Sequence, residues 1–223
     1  MLARDALKLA VKANVVPTLR AAGFKGTYPT WRLEHDGDTA VVSIQSGQYN
    51  EGTYGSFYVS LSVVPPCWWV WTHECAQETP WGSSSKPGRA LPWDGLYRGL
   101  LIPPGKRNHD STEWTVDSLA QARAASAEMT AALQDVGIRT MLGLMGPGRM
   151  LTALRSGAID ATSPVLDRPG MRDVVLAVLL TDVGGPELDK VCRRLDQWAG
   201  REFSELPLTT ASWARRRAAS IKA

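Results

Sequence analysis

The stretch "PPCWWVWTHECA", residues 65–76, sets Cys67, His73 and Cys75 beside three tryptophans. Thiolate and imidazole are zinc ligands, and a structural zinc site closes with four of them. The same residues could instead form an aromatic binding surface or the interior of a sheet. Read as an extended strand at about 3.3 Å per residue, the stretch holds Cys67 and His73 roughly 20 Å apart, too far to share an ion. "WVWT" carries no turn signal that would fold the chain back, so no metal is expected. The cysteines then act as small hydrophobes. In a strand, Cys67, Trp69 and Trp71 face one way and Trp68 and Val70 the other, which makes both faces apolar. Such a strand is either sandwiched in a core or turns Trp68 toward a partner.

Other chemistry is sparse. The histidines are His35 beside a turn, His73, and His109 in the loop "GKRNHD". His109 lies next to Asp110 with Lys106 and Arg107 nearby, a combination able to bind an anion or move a proton. No GxSxG, HExxH or P-loop spacing occurs. "GLMGPG" follows helical sequence, not a strand, and reads as an interhelical turn. No catalytic residue, metal or cofactor is assigned. Seven of the nine tryptophans fall between residues 31 and 114. Trp, Tyr and Arg dominate interface hot spots, which singles out Trp93, Tyr97 and Arg98 in the long connection, together with Trp68.

These residues need elements to hold them. Leu7, Val11, Val15 and Leu19 recur every fourth position, a helical stripe, and Gly23 follows as its C′ residue. "TYPTWRLEH" and "TAVVSIQS" flank "DGD" and read as a β-hairpin. "SFYVSLSVV" alternates Phe57, Val59, Leu61 and Val63 with small polar residues, a half-buried strand. "CWWVWTH" is expected to continue as a further strand after Pro65 and Pro66 interrupt the ladder. Residues 76–112 form a long Pro/Gly/Ser-rich connection, the kind that is functional or partly mobile. "GLYRGLLI" inside it and "STEWTV" after it supply short strands, and Asp117 or Ser118 caps the next helix. That helix should stop near Gly137. A second helix follows to about Arg155, then a pair with Pro186 at N1 of its second member, and a last helix over roughly 209–221. The order predicts an α+β fold: an N-terminal helix, an antiparallel sheet of four to six strands, and a helical C-terminal region packed on or beside it. The α+β part covers 1–117 and the helical region 118–223, the latter either a separate unit or part of the same domain.

At 223 residues, 44% hydrophobic and 21% charged, the chain is that of an ordinary globular protein. A net charge of +3, with no basic half, makes a nucleic-acid partner unexpected. Arg215, Arg216 and Arg217 read as a solvated helix end. Three cysteines without framework spacing, no signal pattern and no apolar run long enough to span a bilayer point to reduced thiols, a cytoplasmic setting and no membrane partner.

The helix ending in "AAGFK", the "TW" that opens a strand, "VVSIQS" closing on glutamine and "GSFYVSLSV" resemble the DUF4304 domain, a bacterial family of unknown function. The resemblance runs mainly over residues 10–65 and more weakly to about 116, through "LYRGLLIPPG" and "EWTV". It implies a small α+β domain and brings no catalytic residues. The expected function is non-catalytic protein recognition, of the adaptor or immunity type, through the sheet face and long loop. The alternative is a small-molecule binder or enzyme with a pocket between sheet and helices, where Gln45, Arg98, His109 and tryptophans converge. Stacking of single-stranded nucleic acid on the aromatics ranks last because the charge is weak.

Overall fold

The computed structural model describes residues 2–47, 50, 52–77, 79–80, 82–106, 112–159, 166, 170–199 and 205–222. Helix α1, Ala3–Ala21, buries Leu7, Val11, Val15 and Leu19. It ends in a Schellman motif: Gly23 N–H donates to Arg20 O and Phe24 N–H to Leu19 O, with Gly23 at φ 88°. That left-handed conformation costs glycine little, and the buried Leu19 and Phe24 sit at the positions whose contact accompanies the motif.

The sheet follows as β1 (Lys25–Thr27), β2 (Thr30–His35), β3 (Asp38–Ser46), β4 (Gly55–Val64), β5 (Tyr97–Leu100) and β6 (Trp114–Val116). All pairings are antiparallel in the order β1-β2-β3-β4-β5, and β6 pairs with the opposite end of β4. The β2–β3 turn carries Asp36 and Gly37 at φ 50° and 85°. Both are positive, as a two-residue hairpin turn matched to the strand twist requires. The cross-strand register sorts the side chains. Trp31, Ala40, Val42, Ile44, Phe57, Val59, Leu61, Val63 and Tyr97 share one face and its core. Thr30, Arg32, Ser43, Gln45, Ser60, Ser62 and Arg98 share the other.

After β4 the chain corrects one expectation. Residues 66–74 are not a strand but helix α2, Pro66–Glu74, with Pro66 at its first position. Proline's fixed φ and missing N–H suit a helix start as well as they break a ladder. An all-apolar run has no period to tell helix from strand. The buried residues Cys67, Trp68, Trp71 and Thr72 have helical spacing. Cys67 and His73 are thus about 9 Å apart along the helix axis, not 20. Trp71 Nε1 donates to Thr210 Oγ1 at 3.1 Å, and Trp213 Nε1 to Glu74 at 3.0 Å. Trp71 and Trp213 fasten α2 to the C-terminal helix, and both of these indoles keep their hydrogen bonds.

The C-terminal helices are α3 (Leu119–Ala132), α4 (Ile138–Leu144), α5 (Arg149–Arg155), α6 (Met171–Leu180), α7 (Pro186–Ala199) and α8 (Leu206–Lys222). Ser118 caps α3 by accepting from Gln121 N–H. Gly137 does not stop the helix. A π turn over Leu133–Gly137 carries it into α4, and a Cβ at Gly137 would stand 3.1 Å from Leu101 and 3.2 Å from Leu61. The glycine lets the helix lie close on the sheet. Asn14 Nδ2 bonds Ser126 Oγ at 2.7 Å, tying α3 to α1. Arg194 grips Asp173 with two hydrogen bonds of 2.9 and 2.6 Å, tying α7 to α6. The arginine run belongs to α8: Arg215 pairs with Asp196 at 2.6 Å, and Arg217 lies over the Trp213 ring at 5.7 Å. One continuous cluster of buried side chains runs from α1 to α8. No described helix is long and apolar enough to cross a membrane.

Candidate functional site

The polar sheet face should be wet, yet Ser43, Ser60 and Ser62 are buried. The connection between α2 and β5 covers them. Residues 82–96 form a strap across this face, and its fastenings come from both sides. From α2, Thr72 O accepts from Ser83 N–H at 3.2 Å, and the His73 ring meets Ser85 O at 2.9 Å. From the sheet, Arg32 Nε donates to Ala90 O at 2.6 Å and Arg98 Nε to Gly95 O at 2.8 Å. At the centre is Asp94, 3% exposed. Its carboxylate accepts from Ser83 Oγ at 2.8 Å and Leu91 N–H at 2.7 Å, and its carbonyl from Trp68 Nε1 at 3.0 Å. A carboxylate this deeply buried is tolerable only because both oxygens are hydrogen-bonded. The strap lies so low that a Cβ on Gly95 would be 2.5 Å from Ser62 Cβ.

Next to Asp94 the strap turns Trp93 outward, 57% exposed. Hollows of about 330 Å³ and 390 Å³ flank it, sharing Gln45, Pro92 and Trp93. Arg98 and Leu100 line the first; Arg4, Tyr28 and Ser43 line the second. Leu100 is 45% exposed. Three of the residues singled out from sequence, Gln45, Trp93 and Arg98, are therefore brought to one surface. Burial pushes the Arg98 guanidinium below its ordinary value, while Asp94 pulls the other way. Tyr97 is not with them. It points to the opposite, helix-covered face, 7% exposed, with its phenol pushed up by burial. Trp68 is fully buried and supports the strap from behind, so the partner-facing role weighed for it is replaced by a bond to Asp94 O. His109 lies outside the described residues. Sequence reasoning missed Asp94. The signal available was "SFYVSLSVV", whose serines leave room for a covering chain.

The chain matches the family model described as "Domain of unknown function (DUF4304)" over residues 15–166. It belongs to the DUF4304 family. No curated protein and no solved structure matches it. In this DUF4304 chain the matched stretch holds the sheet, α2, the whole strap and Trp93, and Arg4 precedes it.

A second feature of this DUF4304 chain is a cleft of about 320 Å³ between the β2–β3 turn, the start of α2, the turn before α5, and the end of α6. Asp38, Asp36, Asp182 and Cys67 line it. Asp38 is 6% exposed, and its Oδ2 accepts from Gly146 N–H at 2.6 Å. Burial pushes its carboxyl up, Asp36 and Asp182 add to this, and the Gly146 bond and His35 oppose it. Burial also pushes the Cys67 thiol up to about 12, so at neutral pH it is no thiolate nucleophile. Because folding raises the Asp38 pKa, the folded chain holds that proton more tightly than the unfolded chain, and ionisation costs stability. Asp38→Asn keeps an oxygen for Gly146 and removes the charge. Its stability advantage over the native chain should be absent at acid pH. It should grow as pH climbs from the ordinary carboxylate pKa to the raised one, and stay flat above. Urea unfolding of both proteins from acid to neutral pH checks this. A gap that does not widen with pH would refute it.

Proposed function

We propose that the chain is a non-catalytic protein-recognition module of the adaptor or immunity type, working in the cytoplasm through the surface around Trp93. The supporting observation is a large aromatic side chain held in water, 57% exposed, by a backbone fastened on both sides. Exposing a tryptophan forgoes its burial, worth about 1.5–3 kcal/mol for a large apolar side chain. Anchoring the strap beforehand removes much of the ordering cost that a partner would otherwise meet. Open hollows lined by Gln45, Arg98 and Leu100 suit the rim of a protein contact better than an enclosed reaction site.

The test is site-specific photocrosslinking in host lysate, with a crosslinking residue at Leu100 and a control at Val136, which is exposed on the π turn. One protein should crosslink at position 100, in near-equimolar yield, and not at 136. Equal labelling at both positions, or none at 100, would count against the reading. The Asp38 cleft favours the second reading, a small-ligand binder, because it is less open than the hollows at Trp93 and holds a buried carboxyl.

A further inference from the structure

Charge around Trp93 is one-sided. Among the described residues, the charged ones lining its two hollows are Arg4 and Arg98, and no aspartate or glutamate is among them. Neither arginine forms an ion pair among the described residues, whereas Arg155, Arg194 and Arg215 of the helical half are each matched to a carboxylate. Asp94, buried beneath the surface, acts on Arg98 through its charge, but its carboxylate oxygens are held by Ser83 and the Leu91 N–H and leave the guanidinium without a direct acidic partner. The side chain of half-buried Gln45, on the wall the hollows share, makes no hydrogen bond among the described residues, so its amide is free to donate and accept.

We propose that the partner docks through an acidic, extended segment laid across the strands, with one carboxylate on Arg98, one on Arg4, and an apolar residue between them on Trp93. This rests on the protein-recognition reading above and names the partner's chemistry. The sheet sets the spacing. Arg98 is on β5 and the far hollow opens beside β2, three inter-strand gaps away, and Arg4 projects from α1 at its edge. Gaps of about 4.8 Å make the crossing roughly 14 Å or slightly more, which an extended chain covers in about five residues at ~3.3 Å each. The two acids of the segment therefore stand about four to six residues apart. Guanidinium–carboxylate pairs at a partly desolvated rim set register and discrimination, and Trp93 supplies the buried contact. Two arginines in a chain of net charge +3 suit a segment with few charges better than a phosphate backbone.

A random peptide library displayed on phage is panned on the full chain, with Trp93→Ala and Arg4→Gln as counter-targets. The Arg4 side chain makes no hydrogen bond among the described residues, so its variant should fold normally. Enriched peptides, synthesised with a fluorescent label, are titrated by polarisation beside a labelled oligothymidylate. The expected winners carry two acids at the stated spacing around an apolar residue. They should lose ~10-fold or more in affinity when either acid becomes its amide, and by a similar factor on Arg4→Gln. Winners without acids, winners that bind Trp93→Ala as well as the native chain, an empty selection, or tighter binding of the oligonucleotide would each overturn the proposal. Its failure is separable from that of the recognition reading. A protein crosslinked at position 100 through a non-acidic segment refutes this inference alone, and no protein crosslinked at all removes both.

Discussion

Trp93→Ala is expected to reduce recovery of the partner on immobilised protein by at least ~30-fold, the loss of a central aromatic hot spot worth about 2 kcal/mol or more. The same substitution should leave urea unfolding within about 0.5 kcal/mol of the native chain, since an exposed side chain away from the core contributes little to folding. The pairing of the two readouts makes the result decisive. The indole is 57% exposed, and the strap's bonds run through Asp94, Gly95 and Ala90, not through Trp93. Loss of binding without loss of stability assigns the residue to recognition. A drop of several kcal/mol in stability would mean that Trp93 packs against the sheet and that its exposure has another cause. Unchanged recovery would remove the surface from the function altogether.

Asp94→Ala is expected to act the opposite way, on the scaffold first. It strips the partner from Ser83 Oγ and from the Leu91 N–H in a place water reaches poorly. Hydrogen bonds to a charged group contribute about 1.5–3 kcal/mol each, and two are lost, so a drop of at least about 3 kcal/mol in urea unfolding is expected. Hydrogen exchange should localise the damage: amides of residues 82–96 exchange faster, while those of β3 and β4 keep their protection. Asp94→Asn should cost less, because its amide oxygen can still accept from Leu91 and the Ser83 hydroxyl can turn to accept from its NH₂. Binding should weaken in both variants, since Trp93 would lose its fixed position. A cost below about 1 kcal/mol for the alanine variant would show that the strap is held by something other than this carboxylate.

Much of the fold was legible because local chemistry and tertiary structure agree. The α1 stripe closed by Gly23, the Asp36–Gly37 turn, the Ser118 cap and Pro186 at the head of α7 each carry their own steric or hydrogen-bonding reason. The misread elements are those where local signals are silent. In α2, apolar side chains on every side erase the periodicity that separates a helix from a strand, and Pro66 suits either ending. Gly137 looked like a stop because glycine usually is one, but contact with Leu61 and Leu101 selected it for size. The candidate site was partly legible. Gln45 and Arg98 sit on one sheet face by alternation, and Tyr97, one residue from Arg98, falls on the other for the same reason. The strap was not legible, because its position depends on bonds from Asp94, Trp68 and Arg32 between elements far apart in sequence.

The serine-lined face under the strap has a mechanical consequence. Ser62 and Gly95 are in such close approach that the strap's height above the sheet is set by the smallest side chains available there. Trp93 rides on that strap, so its protrusion is governed by a spacer on the floor beneath, where no partner reaches. A single methyl or methylene added at Ser62 would act as a shim, lifting the indole without altering any residue of the contact surface. The presentation of this surface can thus be adjusted from inside the molecule, by volume alone.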